Sequence, residues 1–228
     1  MLALGPIVTM VGFVMSPDFE GLVGQEYLDE VKALDNMNMT IFTMFIAAIG
    51  ILMVFGGFFL LSQDLMANSG KVQRDMLMMS RIGFMFAFTV FYLFFALQLE
   101  SISIAQGEND AYAADPELVD ELVLDTFYMS QSIWSSMPIA WGTALILFGI
   151  AAVTGNNSPK EQIEWVYGLP IIGGLAMMTT FWVDGGFAVF FFAMFCAAPI
   201  GIMMLTGHLK DTGADSDDTG SESEPSEE

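Results

Sequence analysis

The chain has 228 residues, 54% hydrophobic and 14% charged, with 27 acidic side chains against 6 Lys and Arg and a formal net charge of −21. A soluble domain carries about 25% charged residues, so this composition is that of a lipid-facing protein. The negative charge argues against nucleic acid as a partner and against a polybasic anchor for anionic lipid.

One Cys and one His exclude an intramolecular disulfide and the usual haem, iron–sulfur and zinc ligand sets within the chain, so no cofactor is expected.

Residues 1–15 are apolar but short, about 22 Å as a helix. A cleaved signal peptide, a truncated span and an uncleaved short span compete for this stretch. No Lys or Arg precedes the apolar core and no small-x-small site follows, which favours the uncleaved first span. Residues 16–38 read as a polar loop with an amphipathic helix at the membrane surface. Its apolar side is drawn from Phe19, Leu22, Val23, Leu28, Val31 and Leu34.

The second span covers 39–61, where Ala47, Ala48, Gly50, Gly56 and Gly57 would let another helix approach closely. Residues 62–81 read as a loop that holds half of the basic residues, Lys71, Arg74 and Arg81. The third span, 82–104, is the element around which the rest is organised. It runs from Arg81 to Glu100 without a charge and is long enough, at about 34 Å, to cross a hydrocarbon core of about 30 Å.

Residues 105–131 carry seven acids and no base. Asp115-Pro116-Glu117 is a helix start, with an N-cap, a first-turn proline and acids at the positive dipole end. Leu118, Val119, Leu122 and Val123 then predict a second surface helix. The fourth span is 133–153, with Pro138 as a kink site. The fifth and sixth spans, 165–183 and 187–206, are joined by the turn tripeptide Asp184-Gly185-Gly186. In the sixth, Ala193, Ala197 and Gly201 recur at i, i+4 and i+8 as a helix-packing stripe, and Pro199 bends the helix. Residues 210–228 are a low-complexity acidic tail that buries no apolar surface and is expected to be disordered.

The expected fold is therefore all-α: a polytopic bundle of six membrane helices over residues 1–209, two amphipathic surface helices, and a tail. Six spans put Lys71, Arg74, Arg81, Lys160 and Lys210 on one side and Lys32 alone on the other. The positive-inside rule makes the first side, with both termini, cytoplasmic.

Chemistry-bearing groups are few. Glu100, with Gln98, Ser101 and Ser103, makes the outer end of the third span polar, about 28 Å along the helix from Arg81. Asp184 falls at the same depth. These residues define a candidate outward-facing polar or transport site, weighed against a solvated interfacial acid and a turn residue. Methionine pairs such as Met203/Met204 have the softness for Cu(I), but Met is abundant throughout and reads as apolar filler. His208 reads as an interfacial residue beside a helix end. No phosphate-binding glycine loop, HExxH or GxSxG occurs, so no enzyme is expected. The functional expectation is a non-catalytic accessory, assembly or scaffold subunit with the bilayer and a membrane-protein partner or a second copy around it. The alternative is a small transporter or channel using Glu100 and Asp184.

Overall fold

The computed structural model describes residues 1–17, 19, 21–67, 69–107, 116–155, 164–182 and 186–207. Among these, 84% are helical and none lies in a strand. Asp184, His208 and the acidic tail lie outside the described residues.

Helix α1, Gly5–Met15, starts on Pro6, which needs no donor in a first turn. At 11 residues it spans only about 16 Å, well short of a membrane core. After α2, Gln25–Lys32, come two long helices, α3, Met37–Ala67, and α4, Lys71–Ala105. Their 31 and 35 residues overshoot the core, since each measures more than about 45 Å. The loop expected over 62–81 is therefore mostly helix. Leu, Met, Gln, Lys and Arg are good helix formers, and the described residues of this stretch that lie outside the helices are Ser69 and Gly70.

A second difference concerns α5, Pro116–Trp134. It is not a separate surface helix. A turn at Ser135–Ser136, a π-helical turn over Pro138–Gly142 and helix α6, Thr143–Thr154, continue it. Together they make one apolar helical stretch, Leu118–Thr154. The π turn falls at Pro138 because proline supplies no N–H to the preceding turn, so the ladder widens there. A 3-10 turn over Glu164–Gly168 leads into α7, Leu169–Thr179. The last apolar stretch divides into α8, Gly186–Phe195, and α9, Ala198–Leu205, with Pro199 in the first turn of α9.

Four stretches are long and apolar enough to cross a membrane: Met37–Ala67, Lys71–Ala105, Leu118–Thr154 and Phe187–Leu205. Two of the six expected crossings, Gly5–Met15 and Trp165–Thr179, are shorter. The chain is a membrane protein by the length and composition of its helices.

Helix α4 is the centre of the packing, touching α2, α3, α5, the π turn and α6. Aromatic rings fill the space between helices. Phe190 of α8 meets Trp141 at 5.1 Å, Trp134 at 5.2 Å and Phe91 at 5.8 Å. Lower down, Phe58 stacks on Phe84 at 5.0 Å, and Phe148 meets Phe58 edge-on at 5.1 Å. Between lipid-exposed helices such contacts hold by dispersion and shape, because lipid tails are as apolar as the rings.

Backbones come closest where side chains are missing. A Cβ at Gly12 would collide with the backbone of Ala47, and one at Gly50 with Thr9. Helix α1 is thus seated against α3 through glycine on both partners. Gly174 and Gly142 make a second such crossing, where a Cβ on Gly174 would stand 2.5 Å from the Gly142 carbonyl oxygen. Gly56, by contrast, has nothing within 4 Å of its Cβ position.

Gly50→Val is therefore expected to destabilise the fold by about 3 kcal/mol, the upper range for overpacking. Gly56→Ala is expected to be neutral or to gain up to about 1 kcal/mol from helix propensity. Thermal unfolding in detergent, followed by helical circular dichroism, checks both. Equal melting temperatures for the two variants would contradict the contact.

Candidate functional site

The candidate polar site lies at the C-terminal end of α4. Residues three apart share a helix face, and those two apart do not. Gln98 and Ser101 accordingly point inward, at 4% and 0% exposure. Glu100 is exposed and Ser103 half-buried. The helix separates the members of the expected cluster instead of gathering them.

The inward pair belongs to a network between α2, α4 and α5. Gln98 Nε2 donates to Ser130 Oγ at 2.7 Å, and Ser130 Oγ donates to the Phe127 carbonyl at 2.7 Å. One turn further on, Ser101 Oγ donates to the Val123 carbonyl at 3.1 Å. With its proton committed there, Ser101 accepts from the Tyr27 hydroxyl, 2.9 Å away. The Tyr27 ring stacks on Phe127, with centroids 3.8 Å apart.

Around this core, α2 has three further ties. Gln106 Nε2 donates to the Val31 carbonyl at 2.6 Å, and the Gly24 N–H donates to the Tyr128 hydroxyl at 3.1 Å. Lys32 Nζ pairs with Asp120 at 2.5 Å, with both side chains well exposed. An exposed pair of this kind contributes roughly 1 kcal/mol at most. The buried hydrogen bonds matter more, because leaving one partner unsatisfied costs about 1–3 kcal/mol.

Tyr27 is the member that a reading of residue types missed. Its place in the stripe with Leu28 and Val31 was the available signal, since 27, 28 and 31 share a helix face. Burial pushes the Tyr27 phenol up to about 12.

The helix-packing residues face other parts of the chain. Ala193 and Ala197 are fully buried. A Cβ on Gly201 would meet the backbone of Leu2 and Ala3 at the start of the chain. Gly173 of α7 lies against Ala193 and Cys196. Among the described residues no three His, Cys, Asp or Glu side chains group as metal ligands would.

Chemically, the network is a set of neutral donors and acceptors. Its buried part holds no carboxylate, imidazole or amine, the Lys32–Asp120 pair being exposed, and its hydroxyls donate to backbone carbonyls or to each other. Such a set joins helices, and it offers no acid–base pair to a substrate. No protein-family model matches this chain, and neither does any curated protein or solved structure.

Tyr27→Phe is expected to cost about 1 kcal/mol at neutral pH, the net value of a neutral hydrogen bond. The pH dependence follows from the raised folded-state value. Stability from the neutral phenol is fully present below the unfolded value of 10.0 and is lost as pH rises from there through about 12. Wild type should therefore lose its advantage over Tyr27→Phe between those limits. Unfolding of the two proteins across that range checks this; parallel curves would place Tyr27 outside the network.

Proposed function

We propose that this chain is a multi-pass integral membrane protein acting as a non-catalytic accessory, assembly or scaffold subunit of a membrane complex. In this reading the helices form a bundle of six passes. The four long stretches cross fully, and α1 and the Trp165–Thr179 region cross where the bilayer thins locally. Lys71, Arg74 and Arg81 lie on the cytoplasmic side with both termini, and Glu100 lies on the outer side.

The observation that carries the reading is the use made of the inward polar groups. Gln98, Ser101, Ser130 and Tyr27 join three helices to one another, and the described acid among the candidates, Glu100, stands outside them. A solute path needs polar groups whose partners are exchangeable, and these are fixed to backbone carbonyls and neighbouring hydroxyls. Apolar side chains line the outer faces, such as Phe42, Phe45, Ile49 and Leu52 on α3. They suit contact with lipid or with another membrane helix.

A transport role would rest on Glu100 and Asp184. Liposome flux of small cations is expected to be no greater with wild type than with Glu100→Gln/Asp184→Asn. A flux abolished by that double variant would replace the scaffold reading with a transporter. Purification in a mild detergent is the direct test of the scaffold itself. A protein mass above that of one 24.9 kDa chain, by light scattering, is expected. A homogeneous monomer, with no crosslinked partner in the membrane before extraction, would count against it.

A further inference from the structure

Half of the chain's cations, Lys71, Arg74 and Arg81, lie within eleven residues at the start of α4. Arg74 and Arg81 are seven apart, which puts them two turns apart on one face of the helix. Both turn back over the end of α3. Arg74 Nη2 reaches the Ser69 carbonyl at 3.4 Å. Arg81 Nη2 reaches Gln63 Oε1 at 3.3 Å, its Nη1 lies 4.0 Å from Met66 Sδ, and its guanidinium sits 4.2 Å from the centre of the Phe59 ring.

None of these partners carries a negative charge. Asp64 and Asp75 are nearby in sequence and exposed, but the ion pair found among the described residues is Lys32–Asp120 alone. Arg81 Nε is buried and has no hydrogen-bond partner. A half-buried guanidinium whose terminal N–H groups meet only weak neutral acceptors is an incomplete site for an anion, because Arg is built to hold carboxylate or phosphate with paired N–H groups.

The surroundings select the anion. Arg81 is the last charge before the uncharged run that ends at Glu100, so it marks the edge of the hydrocarbon core. Met78, Ile82 and Met85, which flank it on α4, are large, apolar and exposed. A free phosphate has no use for that apolar strip, whereas a lipid places its acyl chain along it and its headgroup at the guanidinium.

We infer that Arg81 and Arg74, over the end of α3, bind the phosphodiester of an anionic phospholipid. The whole-chain charge of −21 does not oppose this. Exposed charges are largely screened beyond a Debye length of about 8 Å, while Arg81 is partly shielded from solvent. The inference rests on the membrane placement of α4 proposed above and is independent of the scaffold role.

The test uses the full chain in detergent micelles doped with phosphatidylglycerol or phosphatidylcholine, with bound lipid counted by native mass spectrometry. Phosphatidylglycerol is expected to bind several-fold more tightly than phosphatidylcholine. Arg81→Gln should reduce that preference about fivefold, the usual worth of one cation at a lipid surface. Arg74→Gln should reduce it by less, and it serves as the second variant should Arg81→Gln fail to fold. Millimolar inorganic phosphate should not displace the lipid. Equal binding of the two lipids, a preference unchanged in both variants, or full displacement by inorganic phosphate would each overturn the site. Carbonate extraction of the wild type separates the two claims. A chain that stays in the membrane but shows no lipid preference removes the lipid site alone, and a chain released by carbonate removes the membrane placement.

Discussion

The contact on which the arrangement depends is the one between the backbones of α1 and α3. It exists because Gly12 and Gly50 lack the side chains that would hold the helices apart. In water, a helix of 11 residues is held in place by the apolar surface it hides. In lipid that force is absent, and what remains is close packing and directed hydrogen bonds. The Thr9 hydroxyl turns to the Gly5 carbonyl within its own helix, which leaves its backbone free to lie flat against Gly50. At the other end of α1, Ser16 Oγ lies 2.9 Å from Thr43 Oγ1 of α3 and so closes the contact with a polar tie. The first residues of the chain then lie against Gly57 and Gly201, so α3 and α9 meet the same short segment.

A different kind of force acts at the far end of α4. There α2 is held by the Tyr27 hydroxyl, by the bond from Gln106 to the Val31 carbonyl, and by the stack on Phe127. Only eight residues long and polar on one side, α2 could not stand alone as a helix. Its docking is specific because each buried donor has one acceptor within reach, and a shift of α2 by one residue would strand several of them at once. The two ends of the molecule thus use opposite devices: glycine contacts without side chains at α1, and matched side-chain bonds at α2.

Much of the helical plan is legible in the sequence. The run from Arg81 to Glu100 marks α4 because lipid tolerates no charge along a helix of that length, and α3 is marked in the same way. The polar flanks were not legible. Residues 71–81 are helical although charged, since hydropathy reports where the hydrocarbon ends and not where the helix ends. Helix α5 was legible as amphipathic, but its apolar stripe has the same period whether it meets a membrane surface or α4. In the structure Val123, Phe127 and Ser130 are buried, and α5 runs on into the apolar stretch Leu118–Thr154. Gln98 and Glu100 were grouped by proximity in sequence, and helical geometry puts them on different faces. Tyr27 went unread because nothing in a single helix announces that a partner hydroxyl waits on another.

The remaining question is how so many interrupted helices coexist with a solvent that accepts no free backbone groups. Prolines open α1, α7 and α9, each in the first turn, where no N–H is required, whereas Pro138 sits inside a longer stretch and widens it into the π turn. The carbonyls at the other ends are the harder problem. Hydroxyl side chains add local bonds there, some to carbonyls that also accept a backbone N–H, as those of Ile133, Met177 and Ile202 do. Ser135 and Ser136 donate back to the Ser132 and Ile133 carbonyls at 2.6 and 2.8 Å, just before the π turn. Thr154 does the same for Ile150 at the end of α6, Thr179 and Thr180 for Ala176 and Met177 at the end of α7, and Thr206 for Ile202 at the end of α9. Ser69 bonds the Leu65 carbonyl where α3 stops. A hydroxyl that bonds its own preceding turn weakens a helix in water, where the carbonyl already has a ready partner. Ser and Thr at these helix ends thus accompany the prolines: proline opens α1, α7 and α9 without needing a donor, and hydroxyls add bonds to last-turn carbonyls of α6, α7 and α9.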